Sequence, residues 1–181
     1  MIRARRWGVG VAVALAIAMM QGCSGGAPPP PLPLTGTVAV GANLNPDRDG
    51  RPSPVFVRVY QLESRDAFQS AAYDDLERRD QEVLGADMLH KEVLQFCPSE
   101  AGTATAGAAI CRGSKDRLAQ ELKPGARFLA VFAEFFDSRN PKGAWRASVE
   151  LPQPDDPVFG GPRMRDFKVS LSGSSVSLAF E

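Results

Sequence analysis

The chain has 181 residues, 44% of them hydrophobic, with 21 basic and 21 acidic side chains. This length allows one domain with a sizeable core. The balanced charge provides no field that would recruit nucleic acid, and no cluster of basic residues interleaved with aromatic ones is present, so we exclude nucleic acid as a partner.

The N-terminus predicts export and lipidation. Three arginines precede an apolar run from Trp7 to Met20, which is too short to span a bilayer core of ~30 Å. The run ends at Met20-Gln-Gly-Cys23, which resembles a bacterial lipobox, in which the cysteine receives a diacylglycerol. We therefore predict a lipoprotein signal peptide over residues 1–22 and a lipid on Cys23, which would anchor the protein through its acyl chains. The alternative is an ordinary cysteine after a generic signal peptide.

The next segment, residues 23–34, is predicted to be a spacer. Its glycines are flexible, and its run of prolines cannot donate backbone hydrogen bonds to a sheet. It would hold the following domain away from the membrane. Ser24 follows the lipidated position, and a serine there, rather than an aspartate, resembles lipoproteins that are sorted to the outer membrane.

Residues 35–181 predict a mainly β domain. The first strand is expected over Thr35 to Asn43, and the second begins after Pro54. Alternation in the second strand places Val55, Val57 and Val59 on one face and Phe56, Tyr60 and Leu62 on the other, which predicts a strand covered on both sides. At Ser64 the period changes to that of a helix, and Gly85 stops it, so we predict a helical insertion at about 64–85.

The remaining chain predicts further strands and an antiparallel two-sheet β-sandwich of about eight strands. Gly143 to Leu151 is expected to have one dry face and one wet face that carries Arg146 and Ser148. The other predicted elements are an exposed strand with a bulge over Asp87 to Cys97, a hairpin of Arg117 to Leu122 with the central strand Phe128 to Phe136, and a closing hairpin of Phe167 to Leu171 with Val176 to Phe180.

A charged, turn-forming loop separates the first two strands and must project from the end of a sheet. Its residues are Asn45, Pro46, Asp47, Arg48, Asp49, Gly50, Arg51, Pro52 and Ser53. Four of them match the first half of an EF-hand register, but position 12 is Phe56 instead of a bidentate glutamate, and no helix flanks the loop. We therefore interpret it as a turn and predict no metal site.

No catalytic set is evident. Nucleophilic catalysis of the triad type needs a base, and the single histidine, His90, lies in a strand pattern that favours a structural or surface role. Asp155 and Asp156 lie in a proline-rich loop, where solvated charge is the default interpretation. We predict no enzyme activity and no cofactor beyond the lipid on Cys23.

Cys97 and Cys111 are the cysteines that remain after lipidation of Cys23, and an even pair in an exported domain predicts a disulfide. The bond would close a loop of about 15 residues and stabilise the fold by ~3 kcal/mol in the chain-entropy model. Two unpaired thiols are the alternative.

Several motifs together resemble the TssJ (VasD/SciN) lipoprotein family of the bacterial type VI secretion system. They are the lipobox, the loop from Asn45 to Pro54, Val57-Arg-Val-Tyr-Gln-Leu62, Ser64-Arg-Asp-Ala-Phe68, the segment from Arg79 to Asp87, and Leu122-Lys-Pro-Gly-Ala126. The resemblance implies a transthyretin-like β-sandwich with a helical insertion, anchored on the periplasmic face of the outer membrane.

The same resemblance implies a partner and a binding site. The loop between the first two strands, here Asn45 to Ser53, would bind the periplasmic C-terminal domain of TssM, within a membrane complex that also contains TssL. Arg48 and Arg51 are then the expected polar contacts, with Asp47 and Asp49 setting charge complementarity. Two other hypotheses stay open: a periplasmic carrier, which needs a large apolar pocket, and a lipid-anchored hydrolase, which needs an acid pair in a concave site.

Overall fold

Two sheets of four strands each make up the domain, within the part of the chain that the computed structural model describes, residues 32–98, 117–138, 144–152, 154 and 163–181. The first sheet has the order β4-β1-β7-β8 and the second β3-β2-β5-β6. The strands are β1 (Pro33–Val40), β2 (Val55–Leu62), β3 (Met88–Phe96), β4 (Arg117–Glu121), β5 (Phe128–Ala133), β6 (Arg146–Glu150), β7 (Phe167–Ser172) and β8 (Ser175–Phe180). The helices are α1 (Asp66–Ser70) and α2 (Tyr73–Leu84), followed by a 3-10 turn (Gly85–Asp87). The predicted mainly β, two-sheet sandwich with a helical insertion is confirmed.

One strand pair departs from the antiparallel arrangement that the sequence predicted. β1 and β7 run parallel, with Gly36 beside Phe167 and Val40 beside Leu171. Parallel neighbours need a long connection, and these strands lie far apart in the chain, so local periodicity could not reveal the pairing. Gly36 lies under the ring of Phe167, where a Cβ would come within 2.5 Å of the ring carbons.

The predicted hairpin between Arg117 to Leu122 and Phe128 to Phe136 is wrong. β4 pairs with β1 in the first sheet, whereas β5 pairs with β2 and β6 in the second, so their connection crosses between the sheets. The fully buried Gln61 on β2 holds this crossing. Its amide donates to the Glu121 carbonyl at 3.0 Å, and its oxygen accepts from the Lys123 backbone at 2.8 Å.

The space between the two sheets is filled by hydrophobic side chains. A small-ligand carrier would need a large apolar pocket in this space. Val55, Val57 and Val59 share one face, as predicted, and the structure shows that this face lies in the core between the sheets. Every residue of β5 is buried. The opposite face of the second sheet packs against the helices through Tyr60, Leu62, Phe68, Leu76 and Leu84. Phe56, on that face but beyond the helices, is 47% exposed.

The face of β6 that the sequence predicted to be wet is partly covered by α1, at Arg146 and Ser148, whereas Glu150 is exposed. The Arg146 guanidinium donates to the carbonyls of Phe68 at 2.8 Å and Ala71 at 2.7 Å, and Gln69 donates to the Ser148 hydroxyl at 3.3 Å. The prediction was wrong for Arg146 and Ser148 because a helix from a distant part of the chain docks on this strand.

The local helix and bulge signals agree with the structure. The Ser64 hydroxyl accepts from the Asp66 backbone at 3.2 Å as α1 begins, and Gly85 ends α2 with a φ of 51°. In β3 the pairing shifts between Gln61 opposite His90 and Leu62 opposite Met88, which leaves Leu89 as the extra residue of the predicted bulge. No helix in the described part of the chain has the length and apolar character needed to cross a bilayer. The predicted signal peptide and Cys23 lie outside the described residues.

The β1–β2 loop as a candidate docking site

The loop from Asn45 to Ser53 lies at the opposite end of the sandwich from the start of β1. We call the two ends the loop end and the linker end. At the linker end, the Leu122 backbone donates to the Leu32 carbonyl at 2.9 Å. β1 then runs for 8 residues to the loop end, a length of about 25 Å at ~3.3 Å per residue. There the Gly41 backbone donates to the Leu171 carbonyl at 2.7 Å.

Asn45 fixes the base of the loop. Its side chain is buried, donates to the Pro54 carbonyl at 2.6 Å and accepts from the Phe136 backbone at 2.7 Å. Its own backbone donates to the Gly173 carbonyl at 2.8 Å and adopts a φ of 46°, a left-handed conformation that asparagine tolerates. Asn45 thus holds the loop from inside, and the residues beyond it form the exposed part of the loop.

Asp47 organises the tip of the loop. One carboxylate oxygen accepts from the backbones of Asp49 and Arg51, each at 2.9 Å, and the Gly50 backbone donates to the Asp47 carbonyl at 3.0 Å. Gly50 has a φ of 75°, which favours glycine. The backbone hydrogen bond from Arg51, followed by that from Asp49 and the charge of Arg51, outweighs desolvation and holds the pKa of Asp47 below its ordinary value. The predicted turn is confirmed.

The two loop arginines have different environments. The Arg51 guanidinium contacts Asp47 at 3.3 Å and also pairs with Asp49, so its charge is engaged within the loop. The Arg48 guanidinium instead lies 5.7 Å from the centre of the Phe136 ring. Within the described residues no carboxylate lies within ion-pair distance of Arg48.

A cleft of about 500 Å³ opens beside the loop. Its walls are Pro46, Asp47, Arg48, Gly50, Phe136, Asp137 and Ser174. Sequence reasoning did not assign the last three to this site, because they follow β5 or lie in the β7–β8 turn, far from the loop in sequence. The available signal was the apolar run of Phe128 to Phe136, which continues past the last residue of β5, Ala133.

A buried cluster of charges on the second sheet was also missed. Arg58 of β2 donates to Glu134 at 2.8 Å, to Asp80 at 3.1 Å, and to the carbonyls of Leu76 and Glu77, each at 2.8 Å. These carbonyls precede Arg79, where α2 departs from helical geometry. Because Asp80 and Glu134 share Arg58, this acid pair holds a helix and does not form the open acid pair that a hydrolase would need.

Asp80 is the centre of that cluster. It accepts from the Tyr60 hydroxyl at 2.8 Å and from the Lys91 ammonium at 3.1 Å, in addition to Arg58. Burial alone would raise the pKa of Asp80, but the hydrogen bonds from Tyr60, Lys91 and Arg58 outweigh burial and lower it. Burial, reinforced by the hydrogen bond to Asp80, raises the pKa of Tyr60. The cluster therefore keeps a charged Asp80 beneath the helices.

The other residues considered from sequence are placed as follows. His90 is half-buried in β3 opposite Gln61. In the described ranges no three His, Cys, Asp or Glu side chains come together to hold a metal ion. Cys97 is disulfide-bonded, but its predicted partner Cys111 falls in a range that is not described, as do Asp155 and Asp156, so the pairing stays a prediction.

Comparison with known proteins gives a family and a shared fold. The family model "Type VI secretion lipoprotein, VasD, EvfM, TssJ" matches residues 33–108. The type VI secretion lipoprotein TssJ1 from Pseudomonas aeruginosa is 22% identical, with 84% of this chain and 98% of that chain covered and a TM-score of 0.65. Serratia marcescens Lip, a membrane-bound component of the type VI secretion system, is 20% identical, with 83% and 98% covered and a TM-score of 0.67.

A third similar chain comes from a structure described as the type VI secretion protein TssM C-terminal domain from EAEC. It is 22% identical, with 81% of this chain and 97% of that chain covered and a TM-score of 0.55. A comparison with curated protein sequences found no match. The family match over residues 33–108, the two-sheet sandwich of the described residues and the shared fold lead to one conclusion: this chain resembles the TssJ family of type VI secretion lipoproteins.

Proposed function

We propose that this protein is an outer-membrane anchor of the type VI secretion membrane complex and binds the periplasmic C-terminal domain of TssM through the β1–β2 loop. In this role it transforms no substrate. The observation that carries the proposal is the position of a rigid, charged loop at the end of the sandwich opposite the linker end.

The lipid and spacer would define the membrane-facing side. Leu32 precedes β1 at the linker end, so the predicted spacer would join the domain there. Acyl chains on Cys23 would hold the protein in the outer membrane, and the prolines before β1 would separate the domain from the bilayer. The loop end, about 25 Å further along β1, would then face the periplasm and a partner that reaches toward the outer membrane.

The internal hydrogen bonds of the loop favour binding. Asn45 fixes its base and Asp47 fixes its tip, so little chain entropy remains to be lost when a partner docks. Pro46 and Pro52 restrict the backbone further. A loop that is already ordered can direct its exposed side chains at a partner without refolding.

The known relatives support the identity of the partner. The family is a family of type VI secretion lipoproteins, and one similar chain comes from a structure of the TssM C-terminal domain. The family resemblance implies that TssL would belong to the same complex. These likenesses support the choice of partner, and the loop geometry supports the choice of surface.

The partner test replaces only the tip of the loop. A variant of the full-length protein with Pro46 to Pro52 replaced by glycine and serine keeps Asn45 and Ser53, whose hydrogen bonds hold the base. We expect this variant to reach the outer membrane and to lose co-purification with TssM. Retained co-purification would move the docking surface elsewhere.

The anchor test uses Cys23→Ser. Radiolabelled palmitate should be incorporated into the wild-type protein and not into the variant. The variant should be absent from the outer-membrane fraction while still binding TssM in solution. Incorporation of label into C23S, or unchanged outer-membrane localisation, would contradict lipidation at this cysteine.

A further inference from the structure

Arg48 is the charged side chain of the loop that the loop itself does not use. Asp47, Asp49 and Arg51 pair with one another, whereas Arg48 has no carboxylate within ion-pair distance among the described residues. Its guanidinium lies over the ring of Phe136, 5.7 Å from the ring centre. Among the described residues its guanidinium makes no hydrogen bond, so its N–H donors are available to a planar acceptor.

Phe136 provides an apolar surface next to this cation. Its ring is 55% exposed in the wall of the cleft of about 500 Å³. Phe56 and Val93 are also large and exposed, but they do not line this cleft. An exposed aromatic ring in a concave site beside an arginine has the composition of an interface hot spot.

We propose that the cleft formed by Arg48 and Phe136 binds a segment of the partner that carries a carboxylate next to an apolar side chain. The apolar side chain packs on the free part of the Phe136 ring and excludes water. The carboxylate accepts two hydrogen bonds from the Arg48 guanidinium, a geometry that arginine provides and lysine does not. This assignment rests on the proposed function, because it specifies how the same loop recognises its partner.

Two carboxylates of this protein, those of Asp47 and Asp137, also line the cleft and affect which charge a partner group can carry. Asp47 is already occupied by backbone N–H groups and by Arg51. Asp137 lines the cleft and is exposed. A partner that binds mainly through a cation would depend on Asp137 and not on Arg48. Variants at these two positions therefore show whether the cleft binds a negative or a positive group of the partner.

The experiment measures the affinity of the full-length protein in detergent for the purified periplasmic C-terminal domain of TssM. We expect Arg48→Ala and Phe136→Ala each to weaken binding by about tenfold or more. Arg48→Lys should recover only part of the loss, since lysine lacks the bidentate fork. R48A should also lower the salt dependence of the affinity.

Matched controls separate these effects from general damage. Arg78→Ala removes an arginine from the exposed side of α2, and Phe56→Ala removes an exposed phenylalanine outside the cleft; both should bind as the unmodified protein does. Asp137→Asn should bind equally well or more tightly. Urea unfolding of R48A and F136A should match the unmodified protein, because the hydrogen bond to Asn45 comes from the Phe136 backbone.

The outcomes distinguish the two levels of the account. If R48A and F136A bind normally while replacement of Pro46 to Pro52 abolishes binding, the loop is the docking site and the Arg48–Phe136 assignment is wrong. If D137N weakens binding and R48A does not, the cleft recognises a cation and the assignment is overturned. If replacement of the loop tip leaves binding intact, the proposed function itself fails.

Discussion

Two clusters in this protein each pair one arginine with two carboxylates, but one cluster is largely buried and the other is exposed. In the buried cluster, Arg58 pairs with Asp80 and Glu134 and holds the carbonyls at the break of α2. In the β1–β2 loop, Arg51 pairs with Asp47 and Asp49, but its side chain is 72% exposed. Arg58, by comparison, is only 14% exposed.

The difference shows what burial does to an ion pair. Removing one partner of a buried pair leaves a charge without water or a counter-ion, which costs several kcal/mol. An exposed pair exchanges protein contacts for water at almost no cost. The buried cluster therefore serves the fold, whereas the loop can offer charges to a partner without loss of stability.

The largest expected effect is that of Arg58→Ala. It leaves Asp80 and Glu134 without their shared cation and the carbonyls of Leu76 and Glu77 without a donor. We expect the free energy of unfolding in urea to fall by about 3–5 kcal/mol. Arg78→Ala, which removes an exposed arginine from the same helix region, is the control and should change little. Equal losses for the two variants would remove the distinction between buried and exposed charge.

The second prediction concerns pH. The folded state holds the pKa of Asp80 below its ordinary value of 3.8, so the unfolded chain takes up the proton first. Its contribution to stability is fully present above that value and is lost as the pH falls through the lowered pKa. Asp80→Asn should lower the free energy of unfolding at pH 7 by about 3 kcal/mol. The gap between D80N and the unmodified protein should narrow below pH about 4; a gap that does not change with pH would show that Asp80 is not held charged.

A smaller loss of stability is expected from Asn45→Ala. The environment of Asn45 is intermediate between those of the two clusters, because this residue is buried at the base of an exposed loop. The substitution removes hydrogen bonds to the Pro54 carbonyl and the Phe136 backbone and places alanine at a φ of 46°. Urea unfolding should show a loss of about 1–3 kcal/mol. Asn45→Gly accepts the backbone conformation and should lose less. No loss in N45A would mean that the loop base is not held as described.

The smallest change in stability is expected from Arg51→Ala. Its ion pairs are exposed, so the urea midpoint should stay within experimental error of the unmodified protein. Binding to TssM should weaken slightly, since the loop tip loses part of its order. A clear drop in the urea midpoint would place the loop charges in the same class as the buried cluster.

Local patterns predicted the elements whose causes are local. The alternation of Val55, Val57 and Val59 predicted that these residues share one face of β2, and Gly85 predicted the end of α2, because each depends on neighbouring residues only. The partners of a strand depend on distant residues, so the parallel pairing of β1 with β7 and the crossing from β4 to β5 could not be read from periodicity.

The same limit applies to the candidate site. The turn formers from Asn45 to Ser53 predicted an exposed loop. In sequence, however, Arg48 and Arg51 each lie within two residues of an aspartate, so proximity in the chain does not show which of them pairs with a carboxylate. Only the fold shows that Arg51 is engaged with the loop carboxylates and that Phe136, far away in the chain, lies under Arg48. No role for Arg58 was predicted from sequence for a similar reason, since its partners come from α2 and from Glu134.

The most direct test of the central claim is site-specific photo-crosslinking of the full-length protein in cells that assemble the secretion complex. Two exposed prolines form a matched pair: Pro52 in the loop, and Pro124 in the turn after β4 at the linker end. With a photoreactive amino acid at each position in turn, the account predicts a crosslink to TssM from position 52 and none from position 124. A crosslink from position 124 without one from position 52 would contradict it.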